Sequence, residues 1–246
     1  MVSTFRRYFI RHMNALRIAS WGLPDVPQRG PVVVYSNHPA WWDAAVYILA
    51  ADRFFPAYES YAPIDSAMLA QYGIFGRIGA FGVDLDSPRG AADFLKAGGE
   101  ILAASDRALW ITAQGRFGDV RERPLGLKPG VARLVERAPD CTVLPLAIEY
   151  GFWLERGAEA FMAFGPAMRG QDLVNLARPA RLARLESELA ATLDRLSADV
   201  QSREPARFRA VLEGRAGVGG LYDGWRRMAA ALRGRAFDPS HEGRAS

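Results

Sequence analysis

The sequence predicts an α/β domain on a central, largely parallel sheet flanked by helices, with amphipathic helices near both termini. Three observations lead there. Apolar runs of strand length recur at residues 31–35, 108–111, 143–148 and 160–164. Segments of helical composition stand between the first three, at 44–50, 67–72, 88–104 and 128–135. From Arg181 onward, Leu182, Leu185, Leu189, Leu193, Leu196 and Val200 follow at intervals of three or four, a helical stripe suited to packing on the sheet.

Residues 3–20 read as an amphipathic helix. Phe5, Phe9, Met13 and Leu16 share one side, Arg6, Arg7, Arg11 and Arg17 add positive charge, and no acidic residue precedes Asp25. Such a helix suits a membrane interface. It equally suits packing on the domain with its arginines in water, and both readings stay open. Trp21, Gly22 and Pro24 close the segment. The domain map is therefore 1–24 for this helix, 25–236 for the main domain with its C-terminal helices, and 237–246 for a disordered tail.

The strand at 31–35 runs straight into Asn37-His38-Pro39-Ala40-Trp41-Trp42-Asp43, and an apolar helix follows. Pro39 fits neither a strand ladder nor a helix middle, so it marks the turn. His38 then lies at the end of a strand, where α/β sheets bind ligands. A short strand at 57–60, a helix at 67–72 and a glycine-rich loop with a strand at 73–84 come next. Ser87 is placed to cap the next helix, with Pro88 at its first position. The strand at 108–111 opens into a polar loop, 112–124, and a helix starts near Lys128. The strand at 160–164 ends at Gly165-Pro166. Residues 221–232, with Tyr222, Trp225, Arg226, Arg227 and Met228, form a second amphipathic segment.

Composition narrows the function. The 246 residues carry a net charge of +4, and Lys96 and Lys128 are the only lysines. Mild basicity fits nucleic acid, anionic lipid or phosphorylated substrates. No nucleic-acid module or basic run supports the first. The single cysteine, Cys141, excludes an internal disulfide and reads as a small core residue. No Cys/His cluster has metal spacing, so no metal is expected. No run of about twenty residues is apolar enough to cross a membrane, and no signal-peptide pattern is present.

There are three histidines, His12, His38 and His241. Only His38 is placed for acid–base chemistry. Asp43, five residues on, can accept a bond from one ring nitrogen, fix the tautomer and leave the other nitrogen as a base. The plainer reading is a helix-starting aspartate beside a polar turn residue.

A histidine, four residues and an aspartate, after an asparagine and a strand, resembles the first block of the glycerolipid acyltransferases of the 1-acylglycerol-3-phosphate O-acyltransferase type. Their second block ends in an arginine that holds the acceptor's phosphate; Leu85 stands there, with Arg77 and Arg89 nearby. The third block places proline, glutamate, glycine, threonine and arginine after a strand. Here Gly115 matches, Gln114 replaces the glutamate, and Arg116 and Phe117 occupy the next two places. Glutamine keeps a carbonyl acceptor, gains an amide donor and loses the charge. Arg116, Arg121, Arg123 and Lys128 concentrate positive charge beside this loop, and a guanidinium fork suits phosphate. The strand at 143–148, interrupted by Pro145, resembles the fourth block.

The resemblance spans roughly residues 30–170 and implies a fatty acyl transfer from a thioester, on coenzyme A or acyl carrier protein, to a hydroxyl of a lysophospholipid or related glycerolipid. His38 would be the general base, Asp43 would orient it, and Gln114, Gly115 and Arg116 would meet the acceptor. No cofactor is expected beyond the thioester donor. The expected partners are the membrane surface, a lipid acceptor and the donor, with no nucleic acid. The expected location is cytoplasmic, peripheral on the inner face of the cell membrane. Two alternatives remain: a non-catalytic lipid-binding protein of the same fold, and a thioesterase or other hydrolase.

Overall fold

A computed structural model describes residues 2–73, 75–84, 87–153 and 157–214. Leu85, the segment at 221–232 and the expected tail at 237–246 lie outside these residues. The chain begins with α1 (Val2–His12) and β1 (Ala15–Ala19). It continues through β2 (Val32–Ser36), α2 (Asp43–Phe54), β3 (Glu59–Asp65), α3 (Ser66–Gln71), a short 3-10 turn (Phe75–Ile78) and β4 (Ala80–Val83). Then follow α4 (Pro88–Ile101), β5 (Arg107–Thr112), α5 (Gly130–Arg137), β6 (Thr142–Gly151), β7 (Glu159–Phe164) and β8 (Met168–Arg169). The last elements are α6 (Gly170–Val174), α7 (Arg178–Ser202) and β9 (Phe208–Glu213).

Among the described residues, nine strands form one sheet in the order β4-β3-β5-β2-β6-β7-β1-β9, with β8 beside β6. The five strands from β4 to β6 are parallel, as is the β7–β1 pair, while β6–β7 and β1–β9 are antiparallel. The predicted α/β class with a largely parallel sheet is the one observed.

Both faces of the sheet are covered, which is why its central strands read as unbroken apolar runs. Val32 and Val34 with Ala108 and Trp110 face one core, shared with α1 and α2. Val33, Tyr35, Leu109 and Ile111 face the other, beneath α4, α5 and α7. The stripe of α7 does what its spacing predicts: Leu185, Leu189, Leu193, Leu196 and Val200 are buried. Ser87 caps α4, its hydroxyl accepting from the Gly90 N–H at 3.0 Å. Cys141 is buried, and burial pushes its thiol up to about 12.

The N-terminal segment corrects the expected helix over 3–20. The helix stops at His12, and Ala15–Ala19 is a strand whose five residues are all buried. Met13 and Leu16 continue the helical spacing by coincidence. The pull comes from tertiary structure: β1 fits between β7 and β9. Arg17, counted as a surface charge of the helix, is buried and donates to Glu159 at 2.6 Å. Within α1, Phe9 is buried, whereas Arg6, Arg7 and Arg11 are exposed.

The route of the chain brings two loops together. From β2 it passes over β5 to reach β3; from β5 it returns past β2 to reach β6. The connections leaving the ends of β2 and β5 thus run in opposite directions. The two loops therefore meet above the ends of β2 and β5, the end of an α/β sheet at which ligands bind.

Candidate active site

β2 delivers His38 to the place where these loops meet. Just before it, Asn37 is buried and closes the strand end. Its amide donates to the Ile148 carbonyl at 2.8 Å and its carbonyl accepts from the Ile148 N–H at 2.9 Å. The side chain thereby continues the β2–β6 ladder where the main chain turns away. The loop then enters α2, whose first residue is Asp43. A carboxylate at a helix N-terminus faces unsatisfied N–H groups and the positive end of the dipole.

His38 Nδ1 lies 2.6 Å from Asp43 Oδ2. The aspartate is 1% exposed. Its other oxygen, Oδ1, accepts from the Tyr150 hydroxyl at 2.6 Å, and the Ala40 N–H approaches Oδ2 at 3.4 Å. Burial raises the Asp43 carboxyl above its ordinary range; the bonds from His38 and Tyr150 pull it back. With Nδ1 facing the carboxylate, the imidazole presents Nε2 as its remaining basic nitrogen.

The loop after β5 meets the same histidine. Gln114 is buried; its Oε1 accepts from the His38 N–H at 2.9 Å and its Nε2 donates to the Leu125 carbonyl at 2.9 Å. These partners fix the amide's orientation, because an N–H needs an acceptor and a C=O a donor. Gly118 N–H donates to the His38 carbonyl at 3.0 Å. Both backbone polar groups of His38 are therefore held by residues 114–118. Gly115 turns the chain at φ +61°, a left-handed conformation that favours glycine. Phe117 is half exposed and tilts over the His38 ring, centroids 4.2 Å apart.

The sequence-predicted residues are thus brought to one place, in different ways. His38 and Asp43 are in direct contact. Gln114 bonds to the protein backbone at both ends. Gly115 and Arg116 are exposed on the rim. Arg116 forks onto Glu122, with one N–H to Oε2 at 3.1 Å. Arg121 pairs with Asp119 and Arg123 with Asp194 of α7. Sequence reasoning missed Tyr150, Asn37 as a clip and Phe117 as a ring over His38. Tyr150 is 107 residues from Asp43 in the chain, so no local pattern could pair them. Among the described residues, no group of three or more His, Cys, Asp or Glu side chains is arranged to hold a metal.

A family model described as Acyltransferase matches residues 17–149, more than half of the chain. The chain belongs to the acyltransferase family. No curated protein matches it. The matched span begins within β1, ends within β6 just short of Tyr150, and contains His38, Asp43 and the 114–118 loop. The parallel sheet and flanking helices agree with an acyltransferase domain. No helix among the described residues is long and apolar enough to cross a membrane.

Proposed function

We propose that this acyltransferase moves a fatty acyl group from a thioester, on coenzyme A or acyl carrier protein, to the hydroxyl of a lysophospholipid or related glycerolipid. The observation that carries the reading is the 2.6 Å contact between His38 Nδ1 and a buried Asp43. The hydroxyl gives its proton to His38 Nε2 as its oxygen attacks the thioester carbonyl. Asp43 holds the ring and stabilises the imidazolium as it forms. When the tetrahedral intermediate collapses, the C–S bond breaks and the proton passes to the leaving sulfur. The alcohol attacks directly, so no acyl-enzyme is needed. The sequence also has no Gly-x-Ser-x-Gly elbow to supply a serine nucleophile.

The acceptor side of the site is the rim formed by Gly115 and Arg116, positioned by Gln114 beneath them. The Arg116–Glu122 pair is exposed, and exposed pairs contribute little. An incoming phosphate therefore competes readily for the guanidinium. Around His38 the surface is aromatic: Trp41 is 63% exposed and Phe117 50%. With Arg6, Arg7 and Arg11 exposed on α1, this supports a peripheral position on the inner face of the cell membrane, where lipid acceptors reach the site from the bilayer.

The test is transfer of radiolabelled acyl groups from acyl-CoA and from acyl carrier protein into extracted lipids, in wild type and His38→Ala. Labelled product lipid with wild type and none with a folded His38→Ala supports the reading. Label released as free fatty acid without any acceptor makes the protein a hydrolase instead. Full transfer by His38→Ala refutes the mechanism.

A further inference from the structure

Asp43 has two oxygens and two side-chain partners, one on each. His38 Nδ1 meets Oδ2 and the Tyr150 hydroxyl meets Oδ1, both at 2.6 Å. The three groups come from different places: His38 from the end of β2, Asp43 from the start of α2 and Tyr150 from the far end of β6. A carboxylate held at one oxygen only can rotate about its Cβ–Cγ bond. Held at both, it cannot rotate without breaking a charge-assisted bond. We propose that Tyr150 is a positioning residue for acyl transfer: its hydroxyl locks the Asp43 carboxylate against His38 and draws off part of its charge. This rests on the reading of His38 as the base.

The phenol is fitted to the task. It presents a single donor hydrogen, which an acceptor-only carboxylate requires. Burial, followed by the negative charge of Asp43, holds its own ionisation well above the ordinary tyrosine value, so it stays a neutral donor wherever the enzyme works. The titratable groups near Asp43 are few. His38 lies on the loop before it, Tyr47 one turn along α2 and Tyr150 on β6. The Tyr47 hydroxyl bonds to Ser36 rather than to Asp43. From α1, Tyr8 and His12 lie against the ring of Trp42. From the 114–118 loop come the uncharged Gln114 and Phe117, with Arg116 turned to Glu122.

The direction of the effect follows. Losing the Tyr150 hydroxyl leaves Asp43 with more negative charge at Oδ2. The bare carboxylate is destabilised more than the one facing an imidazolium, so the coupled pair takes up its first proton at higher pH. The acid limb of the kcat/KM profile must then move to higher pH. A tyrosine that merely fills space gives no such shift.

The experiment is nitrogen-15 histidine NMR on the full chain, where His12→Gln and His241→Gln assign the three imidazoles, joined to pH–rate profiles. Tyr150→Phe should raise the pH at which His38 titrates and lower kcat roughly tenfold with little change in KM; loss of one hydrogen bond to a charged group is typically worth one to two powers of ten. Tyr47→Phe should leave the His38 titration in place. Ring-fluorinated tyrosine at 150, a stronger donor, should move it the other way, which also covers failure of Tyr150→Phe to fold. An unmoved His38 titration in both Tyr150 substitutions overturns the inference, even where His38 is essential for transfer. A His38→Ala variant with full activity overturns instead the reading on which it rests.

Discussion

Replacing Gln114 by glutamate would restore the residue found at this place in the resembled third block, and the structure says it will do harm in a pH-dependent way. The Gln114 carboxamide accepts from the His38 N–H and donates to the Leu125 carbonyl, both at 2.9 Å, in a buried position. A protonated glutamic acid reproduces both bonds, with its O–H directed at Leu125. An ionised one still accepts from His38 but sets a carboxylate oxygen against a carbonyl oxygen. The folded state then disfavours the charged form, so the new group's pKa rises on folding. Below the unfolded glutamate value, about 4.3, the variant should match wild type. Above it, the variant should lose stability at about 1.4 kcal/mol per pH unit until the folded pKa is passed. An unsatisfied buried carbonyl costs roughly 1–3 kcal/mol, which places the plateau above about pH 5 to 6.5. Gln114→Ala should lose roughly 2–6 kcal/mol at every pH, because both backbone groups lose their partner. Urea denaturation of the three proteins between pH 4 and 8 measures this. If Gln114→Glu differs from wild type by the same amount at pH 4 and pH 8, the assignment of Gln114 as a buried two-ended brace is wrong.

Other substitutions test the remaining parts of the site. Asp43→Asn should lower kcat by roughly 10²–10⁴ in a folded protein. Because burial raises the Asp43 carboxyl, the native carboxylate weighs on stability above its unfolded pKa and not below it; Asp43→Asn should therefore gain on wild type in denaturant as pH rises from 4 to 8, and the opposite trend would contradict the burial argument. Arg116→Ala should raise the KM for lysophosphatidate by roughly ten- to a hundredfold and leave an uncharged monoacylglycerol unaffected. Glu122→Gln, which releases Arg116, should lower the same KM; strong use of lysophosphatidate that survives loss of Arg116 would remove it from the acceptor site. Replacing Arg6, Arg7 and Arg11 together by glutamine should weaken co-sedimentation with anionic vesicles, most at low salt, and unchanged binding would make α1 purely structural.

Where each element is determined by its own neighbours in the chain, it was legible in the sequence. Val32 to Tyr35, the turn at Pro39, the Ser87 cap and the stripe of α7 are local signals, and all are present in the fold. The contact between His38 and Asp43 was legible because five residues of chain bring them together. What escaped is what distant segments decide. Met13, Leu16 and Arg17 extend a helical spacing, yet β7 and β9 draw residues 15–19 into the sheet. Gln114 reads as a polar loop residue facing solvent or substrate, but Leu125 and the backbone of His38 claim both ends of its amide. Tyr150 lies beyond the apolar run at 143–148 that the sequence marks, and its bond to Asp43 needs the sheet to exist first.

The position of β1 also bears on how this protein is made. Arg17 leaves the ribosome 142 residues ahead of its partner Glu159. The strand's other neighbour, β9, ends only at Glu213. Until β7 is made, the five buried residues of β1, an arginine among them, have no strand to pair with, and until β9 is made one edge stays open. Pairings of such long sequence separation form slowly, and unpaired strands are sites of aggregation while they wait. A fragment cut at residue 149, where the family match ends, would keep β1 and lose both of its neighbours. A unit that keeps β1 paired is therefore longer than the span the family model matches.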